Sequence, residues 1–183
     1  MSSSDEIVGV DIQFQRLKTA RLNLPTRKFV QAQGEVLPFA NEVFDLALYK
    51  LSLPYMNLPL ALKEACRVLT PGGRIYLSLH CFRFTLHELT ISFPKPKATL
   101  FRLWVMLNGV ILHFTGRPAS VKGKYESFQT VRGISIALRH AGFGDISVSK
   151  PFTISKRFPS LIVQARKLVA TSHESGRVAR QAA

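Results

Sequence analysis

The apolar positions along this chain change their period several times, and each change marks an element. Ile7-Val8-Gly9-Val10-Asp11 is a short apolar run closing on an acid, and Phe14, Leu17 and the residues to Arg21 follow at helical spacing. After a break at Asn23-Leu24-Pro25, Lys28-Phe29-Val30-Gln31-Ala32 reads as a strand. Phe44-Asp45-Leu46-Ala47-Leu48-Tyr49 is a further apolar run, and Leu58 to Leu69 has helical spacing. Thr70-Pro71-Gly72-Gly73 then breaks the helix, and Arg74 to His80 forms another run. Two strands separated by one helix make a βαβ unit, whose ligands lie at the carboxyl ends of the strands. Function is therefore expected around Tyr49 to Ser52 and His80 to Arg83.

The pattern then loosens. Between His80 and Tyr125 lie Phe82, Phe84, Phe93 and an apolar run from Leu100 to Phe114, interrupted by Arg102, Asn108 and Gly109. That run is too short and too interrupted for a membrane span. It suits a lid helix over a site, a lipid-facing helix or a helix buried in a dimer, and the lid is the favoured reading. Lys95, Lys97, Arg117, Lys122 and Lys124 flank it and keep a membrane-surface role open. Tyr125 to Ala141 reads as an amphipathic helix with Phe128, Val131, Ile134 or Ser135, and Leu138 inward, stopped by Gly142.

Three pieces of this pattern carry a resemblance: Glu35-Val36-Leu37-Pro38-Phe39, Phe44-Asp45-Leu46, and Glu64-Ala65-Cys66-Arg67-Val68-Leu69-Thr70-Pro71-Gly72-Gly73. In order and spacing the chain resembles the class I S-adenosylmethionine-dependent methyltransferases, in their small-molecule, type 11-like branch. The resemblance runs from about Ile7 to Lys167 and is strongest to Leu79. It implies an α/β, Rossmann-like sheet in which the strands around Asp145 to Ser149 and Ser160 to Lys167 close the fold in antiparallel fashion. It also implies S-adenosylmethionine as cofactor and a small-molecule acceptor, which the apolar lid suggests is hydrophobic.

Site residues follow from the same resemblance. Asp11, with Ile12 beside it, stands where a carboxylate accepts from both ribose hydroxyls; an Asp capping the following helix suits the same position. Gln33, Gly34 and Glu35 occupy the loop that meets the adenine edge, and Tyr49 lies near the mouth. Tyr55, Trp104 and Tyr125 are the candidate substrate contacts. Asp45, at the opposite end of its strand, is expected to be structural, and Glu64 and Arg67 to pair on one helix face. One departure is large: relatives begin with a strand and a glycine-rich turn that meets the methionine part of the cofactor, whereas six polar residues precede Ile7 here. The domain thus reads as amino-terminally truncated, either by a late start or as a degenerate relative. Strands left without this neighbour would carry unpaired backbone groups, lowering stability and favouring aggregation or pairing with a second copy as a homodimer.

Composition changes the picture in two ways. A length of 183 residues with 46% hydrophobic content suits a single domain with a real core. The expected layout is a polar stretch over 1–6, the domain over 7–167 with a lid insertion at about 81–124, and a disordered basic tail over 168–183. Cys66 and Cys81 lack metal-ligand spacing and no signal peptide opens the chain, so a reduced, cytoplasmic protein without a metal is expected. The formal charge of +14 is uneven: from Pro94 onward there are fifteen Lys and Arg against three Asp and Glu. Such a face attracts anionic partners, but without an RNA-binding motif no nucleic-acid partner is expected.

Methyl transfer from a sulfonium is an in-line displacement, so alignment and exclusion of water carry most of the catalysis. A base is needed only when the acceptor must lose a proton, and His80, at a strand end, is the best candidate, ahead of His87 and His113. The rivals are a non-catalytic remnant serving as an interaction module, a nicotinamide-dependent oxidoreductase and a basic membrane-associated protein.

Overall fold

The computed structural model describes residues 6–80, 82–152 and 160–169. The expectations for residues 1–5, for Cys81 and for the tail over 170–183 lie outside them. β1 (Val8–Asp11), α1 (Phe14–Asn23) and β2 (Lys28–Gln31) come first, the two strands parallel with Asp11 level with Gln31. The βαβ unit follows as β3 (Phe44–Lys50), a 3-10 turn (Leu53–Tyr55), α2 (Leu58–Val68) and β4 (Leu69–Ser78), with Lys50 opposite Ser78 where the parallel pair ends. The remaining elements are α3 (Phe82–Ser92), α4 (Pro96–Thr115), α5 (Val131–His140), β5 (Phe143–Phe152) and β6 (Ser160–Lys167). β6 lies between β4 and β5, antiparallel to both, giving the sheet order β3-β4-β6-β5 and the expected antiparallel ending.

Two boundaries differ from the sequence reading. Thr70 to Gly73 is a bulge inside β4 rather than a turn before it: pairing jumps from Phe44 with Leu69 to Leu46 with Arg74. The φ of +77° at Gly72 suits a residue without a Cβ, and the Thr70 hydroxyl donates to Asp45 Oδ1 at 3.1 Å, the structural role foreseen for that acid. The last helix begins at Val131, not Tyr125, because the Thr130 hydroxyl accepts from the Gly133 amide and caps it. Phe128 is buried all the same, from an extended segment. Gly142, at φ +93°, ends the helix as expected.

Among the described residues no ladder joins β1 to β3; β1 and β2 form a sheet of their own. One edge of β3 is therefore unpaired, and its Leu48 is 69% exposed. A strand with apolar residues on both faces ordinarily lies inside a parallel sheet, whereas this edge of β3 meets no other strand among the described residues.

The core forms around α2. Asn57 caps it through the Leu60 amide, and Leu58, Ala61, Leu62 and Ala65 recur on the face that meets the sheet and α5. Each fully buried leucine there contributes about 1.5–3 kcal/mol relative to exposure. The buried cluster runs from Leu53 to Ala165 and has no member in β1, α1 or β2.

A polar clamp on the back of α2 holds the loop that follows β2. Glu64 Oε1 accepts from the Leu37 amide at 2.8 Å. Arg67 pairs with Glu64 at 2.7 Å and donates to the carbonyls of Leu37 and Phe39 and to the Asn41 side chain. The expected Glu64–Arg67 pair is thus present, and it explains why an acid and an arginine three residues apart go with the Leu37-Pro38-Phe39 loop.

Candidate functional site

The carboxyl ends of the strands carry the polar residues foreseen for the site. Asp11 closes β1. Its Oδ1 accepts from the Gln13 amide at 2.8 Å, while Oδ2 makes a longer ion pair of 3.8 Å with the exposed Arg16. Asp11 thus closes a local turn onto Gln13, the N-cap of α1, and does not itself cap the helix; its second oxygen makes only a long contact that a better donor can displace. Ile12 is exposed beside it, and its carbonyl accepts from the Gln31 side chain at 3.0 Å.

Gln33 opens a tight turn closed by the Val36 amide on the Gln33 carbonyl. Gly34 within it lies so close to Met56 that a Cβ would come 2.7 Å from Sδ, with the Tyr49 ring next to it. Glu35 Oε1 accepts from the Asn57 amide at 2.7 Å, and the Asn57 side chain donates to the Tyr125 hydroxyl at 3.2 Å. Asn57 thus links Glu35 to Tyr125, while Met56 and the Tyr49 ring crowd Gly34. Burial, seconded by Glu35 and Glu64, pushes the Tyr49 phenol far above its ordinary value, so it stays protonated; it donates to the Ala61 carbonyl at 3.4 Å.

His80, just past β4, sits in an aromatic angle between Tyr55 and Phe84, with ring centroids 5.8 and 5.0 Å away and both contacts edge-on. Its backbone exchanges two bonds with Gln129, whose amide donates to the His80 carbonyl at 2.8 Å and whose side chain accepts from the His80 amide at 3.2 Å. Burial pushes the imidazole pKa down, against a hydrogen bond to Leu51 and the charge of Glu126. At neutral pH His80 is therefore neutral and able to take up a proton.

A cleft of about 280 Å³ is lined by Tyr55, Phe101, Gly123, Lys124, Tyr125 and Glu126. Two of the three expected substrate contacts, Tyr55 and Tyr125, share it. Trp104 does not line it: the indole stacks on Phe101, which does, with centroids 5.7 Å apart. A helix turn carries Trp104 round from Phe101, so it supports the wall instead of forming it. A second hollow of about 210 Å³ lies between α1 and β1, lined by Gly9, Val10, Asp11, Leu17, Ala20 and others.

Several residues that build this region escaped the sequence reading. Asn57 joins the Glu35 loop to Tyr125; its signal was an Asn two residues before a helix-initiating Pro59. Arg102 looked like an interruption of an apolar run. It pairs with Glu88 at 3.1 Å and with Glu126, tying α3, α4 and the cleft wall together. Gln129 had no local signal, because its partner is 49 residues away.

Comparison with known proteins bears on the fold and on the first half of the chain. Residues 2–77 match the family described as a methyltransferase domain. The chain is 27% identical over 169 residues to a malonyl-[acyl-carrier protein] O-methyltransferase of Methylococcus capsulatus, covering 90% of this chain and 52% of that protein. It is 31% identical over 107 residues to a ubiquinone/menaquinone biosynthesis C-methyltransferase of a Marinomonas species, covering 55% and 38%. The chain thus spans about half or less of the length of these relatives. Among solved structures, a S-adenosylmethionine-dependent methyltransferase of Methanosarcina mazei superposes with a TM-score of 0.59 at 18% identity, covering 88% of this chain and 82% of that one. A possible histamine N-methyltransferase of Thermotoga maritima gives 0.60 at 19% identity, with 87% and 72% covered.

Proposed function

We propose that this chain, which has the fold of the class I S-adenosylmethionine-dependent methyltransferases and whose residues 2–77 match a methyltransferase domain, transfers a methyl group to a small, hydrophobic acceptor. The observation that carries this reading is the placement of Asp11 at the carboxyl end of β1, where among the described residues one carboxylate oxygen meets only a 3.8 Å ion pair. A carboxylate so placed can accept from both hydroxyls of a ribose. The residues present suit the nucleoside half of the cofactor: Asp11 and Ile12 for the ribose side, Gln33, Gly34 and Glu35 for the adenine edge, and Tyr49 behind them. For the methionine half the described residues offer no glycine-rich cradle ahead of β1.

When bound, the cofactor supplies an electrophilic methyl carbon. The protein's share is alignment and exclusion of water. Tyr55, Phe101 and Tyr125 give the cleft apolar walls suited to an acceptor ring or chain. His80, neutral and next to Tyr55, is the group that can receive a proton where the acceptor must lose one. The two relatives are named for O-methyl transfer to malonyl-[acyl-carrier protein] and for C-methyl transfer in ubiquinone/menaquinone biosynthesis, so the hydrophobic acceptor proposed here rests on the aromatic walls of the cleft.

A second reading, a non-catalytic module that retains the fold for binding a partner, is favoured by one observation: the unjoined edges of β1 and β3. Calorimetric titration with S-adenosylhomocysteine separates the two. The methyltransferase reading expects saturable binding, weakened at least tenfold by Asp11→Ala and little changed by Asp45→Asn. Equal losses in both variants would remove the ribose assignment, and no binding by the parent chain would favour the binding module.

A further inference from the structure

The hairpin of α3 and α4 exposes an extended apolar surface distinct from the cleft wall that Phe101 forms. On α4, Leu100, Leu103, Leu107, Val110 and Phe114 are all exposed, Leu107 by 59%. Their spacing of three and four residues places them within about a quarter of the helix circumference. Opposite them, Val105, Asn108, Gly109 and Leu112 are buried. α4 is therefore amphipathic in reverse of the usual sense: one stripe is packed against the protein and an equally apolar stripe faces out. The hairpin turn adds Phe93, and α3 adds Leu86 and Ile91, all exposed.

By length and composition α4 could cross a membrane, but its other side fastens it to the body. The buried Asn108 side chain donates to the carbonyls of Ala119, Tyr125 and Glu126 and accepts from the Ala119 amide. Gly109 lies against the Phe128 ring and Gly133 of α5 against the Leu112 carbonyl. Crossing would break these contacts and bury Arg102, so the helix can only lie along a surface.

Charge selects the surface. From Phe82 to Tyr125 there are seven Lys and Arg and a single acid, Glu88, which Arg102 already engages. Exposed Lys95 and Lys97 stand at the start of α4 and exposed Arg117 just past its end, while Arg132 lies over the Phe114 ring at 5.8 Å. A second copy fits poorly, because a two-fold contact along this stripe sets these cations against one another whether the helices run parallel or antiparallel. We infer that the exposed stripe of α4, with the α3–α4 turn, is a docking surface for an anionic lipid membrane, on which α4 lies in the interface plane. The inference is independent of the methyl-transfer reading and concerns no residue of the cleft except by neighbourhood.

The test is sedimentation of the 183-residue chain, without cofactor, with vesicles of phosphatidylcholine alone and of phosphatidylcholine with phosphatidylserine, each at low and raised salt. Binding to the anionic vesicles is expected, weakening with salt. Leu103→Glu with Leu107→Glu should abolish it. Lys95→Gln with Lys97→Gln, at exposed positions that leave the fold intact, should lower affinity about fivefold per lysine at low salt. Three results would overturn the inference: no binding, binding indifferent to lipid charge, or light scattering that shows a dimer dispersed by the Leu103→Glu, Leu107→Glu variant.

Discussion

At the scale of single residues, two groups give the fold a shared response to acid. Arg67, seconded by the Leu37 amide, holds the Glu64 carboxyl below the usual carboxylate range, and burial holds the His80 imidazole below its ordinary value. Both folded pKa values are depressed, so on acidification the unfolded chain takes up protons first, and stability present at neutral pH is lost as pH falls. The His80 share fades below about pH 6.5 and the Glu64 share below about pH 4.3. Urea unfolding from pH 7 to pH 3 should show both: His80→Gln flattens the upper part of the decline and Glu64→Gln the lower. Variants whose pH profiles run parallel to that of the parent would refute these assignments. Residue type and position made His80 visible as a candidate in the sequence, but its state was not, since Tyr55 and Phe84 come to it only through the fold.

At the scale of elements, α4 packs closely on α5 and on the segment before it because two positions lack side chains. A Cβ at Gly133 would strike the Leu112 carbonyl, which is backbone and cannot swing aside, and one at Gly109 would enter the Phe128 ring. Gly133→Ala should therefore destabilise the protein by about 1–3 kcal/mol, although alanine is the better helix former by about 1 kcal/mol. A neutral or stabilising result in denaturant unfolding would mean that the helices do not approach so closely. Helical period placed α2, and apolar composition marked most of α4 as a helix. The period failed at Tyr125 to Gln129, where inward residues recur at helical spacing by coincidence while Thr130 sets the true start of α5.

At the scale of the whole molecule, the chain divides into a well-packed sheet, β3-β4-β6-β5 with α2 and α5, and a lighter unit of β1, α1 and β2. In that unit Leu17 is the fully buried apolar side chain of α1, and the main cluster draws no member from it. Its hold on the rest runs through the loop clamped by Glu64 and Arg67 and through Glu35 on Asn57. Amide hydrogen exchange should find Val8 to Gln31 opening at a lower free energy than β4 and β6, by a hundredfold or more in protection. Uniform protection across both sheets would show that the two parts unfold as one. Because Asp11 lies in the lighter unit, a ligand that bridges it to the Gln33 turn should raise protection there first.

The sequence by itself determined the elements whose cause is local: the apolar runs of the strands, the spacing of α2, Gly142 as a helix terminator, and the motif from Leu37 to Gly73 that carries the family likeness. It also determined that an acid would close β1, since Asp11 follows directly on an apolar run. Only the tertiary structure decided which of the candidate residues meet. Tyr55 and Tyr125 line one cleft while Trp104 stands behind its wall, and Asn57, Arg102 and Gln129 gather segments far apart in the chain. The division has a physical origin. Periodicity records which side of an element avoids water, whereas a polar contact between distant residues needs a distance and a direction that only the packed chain supplies.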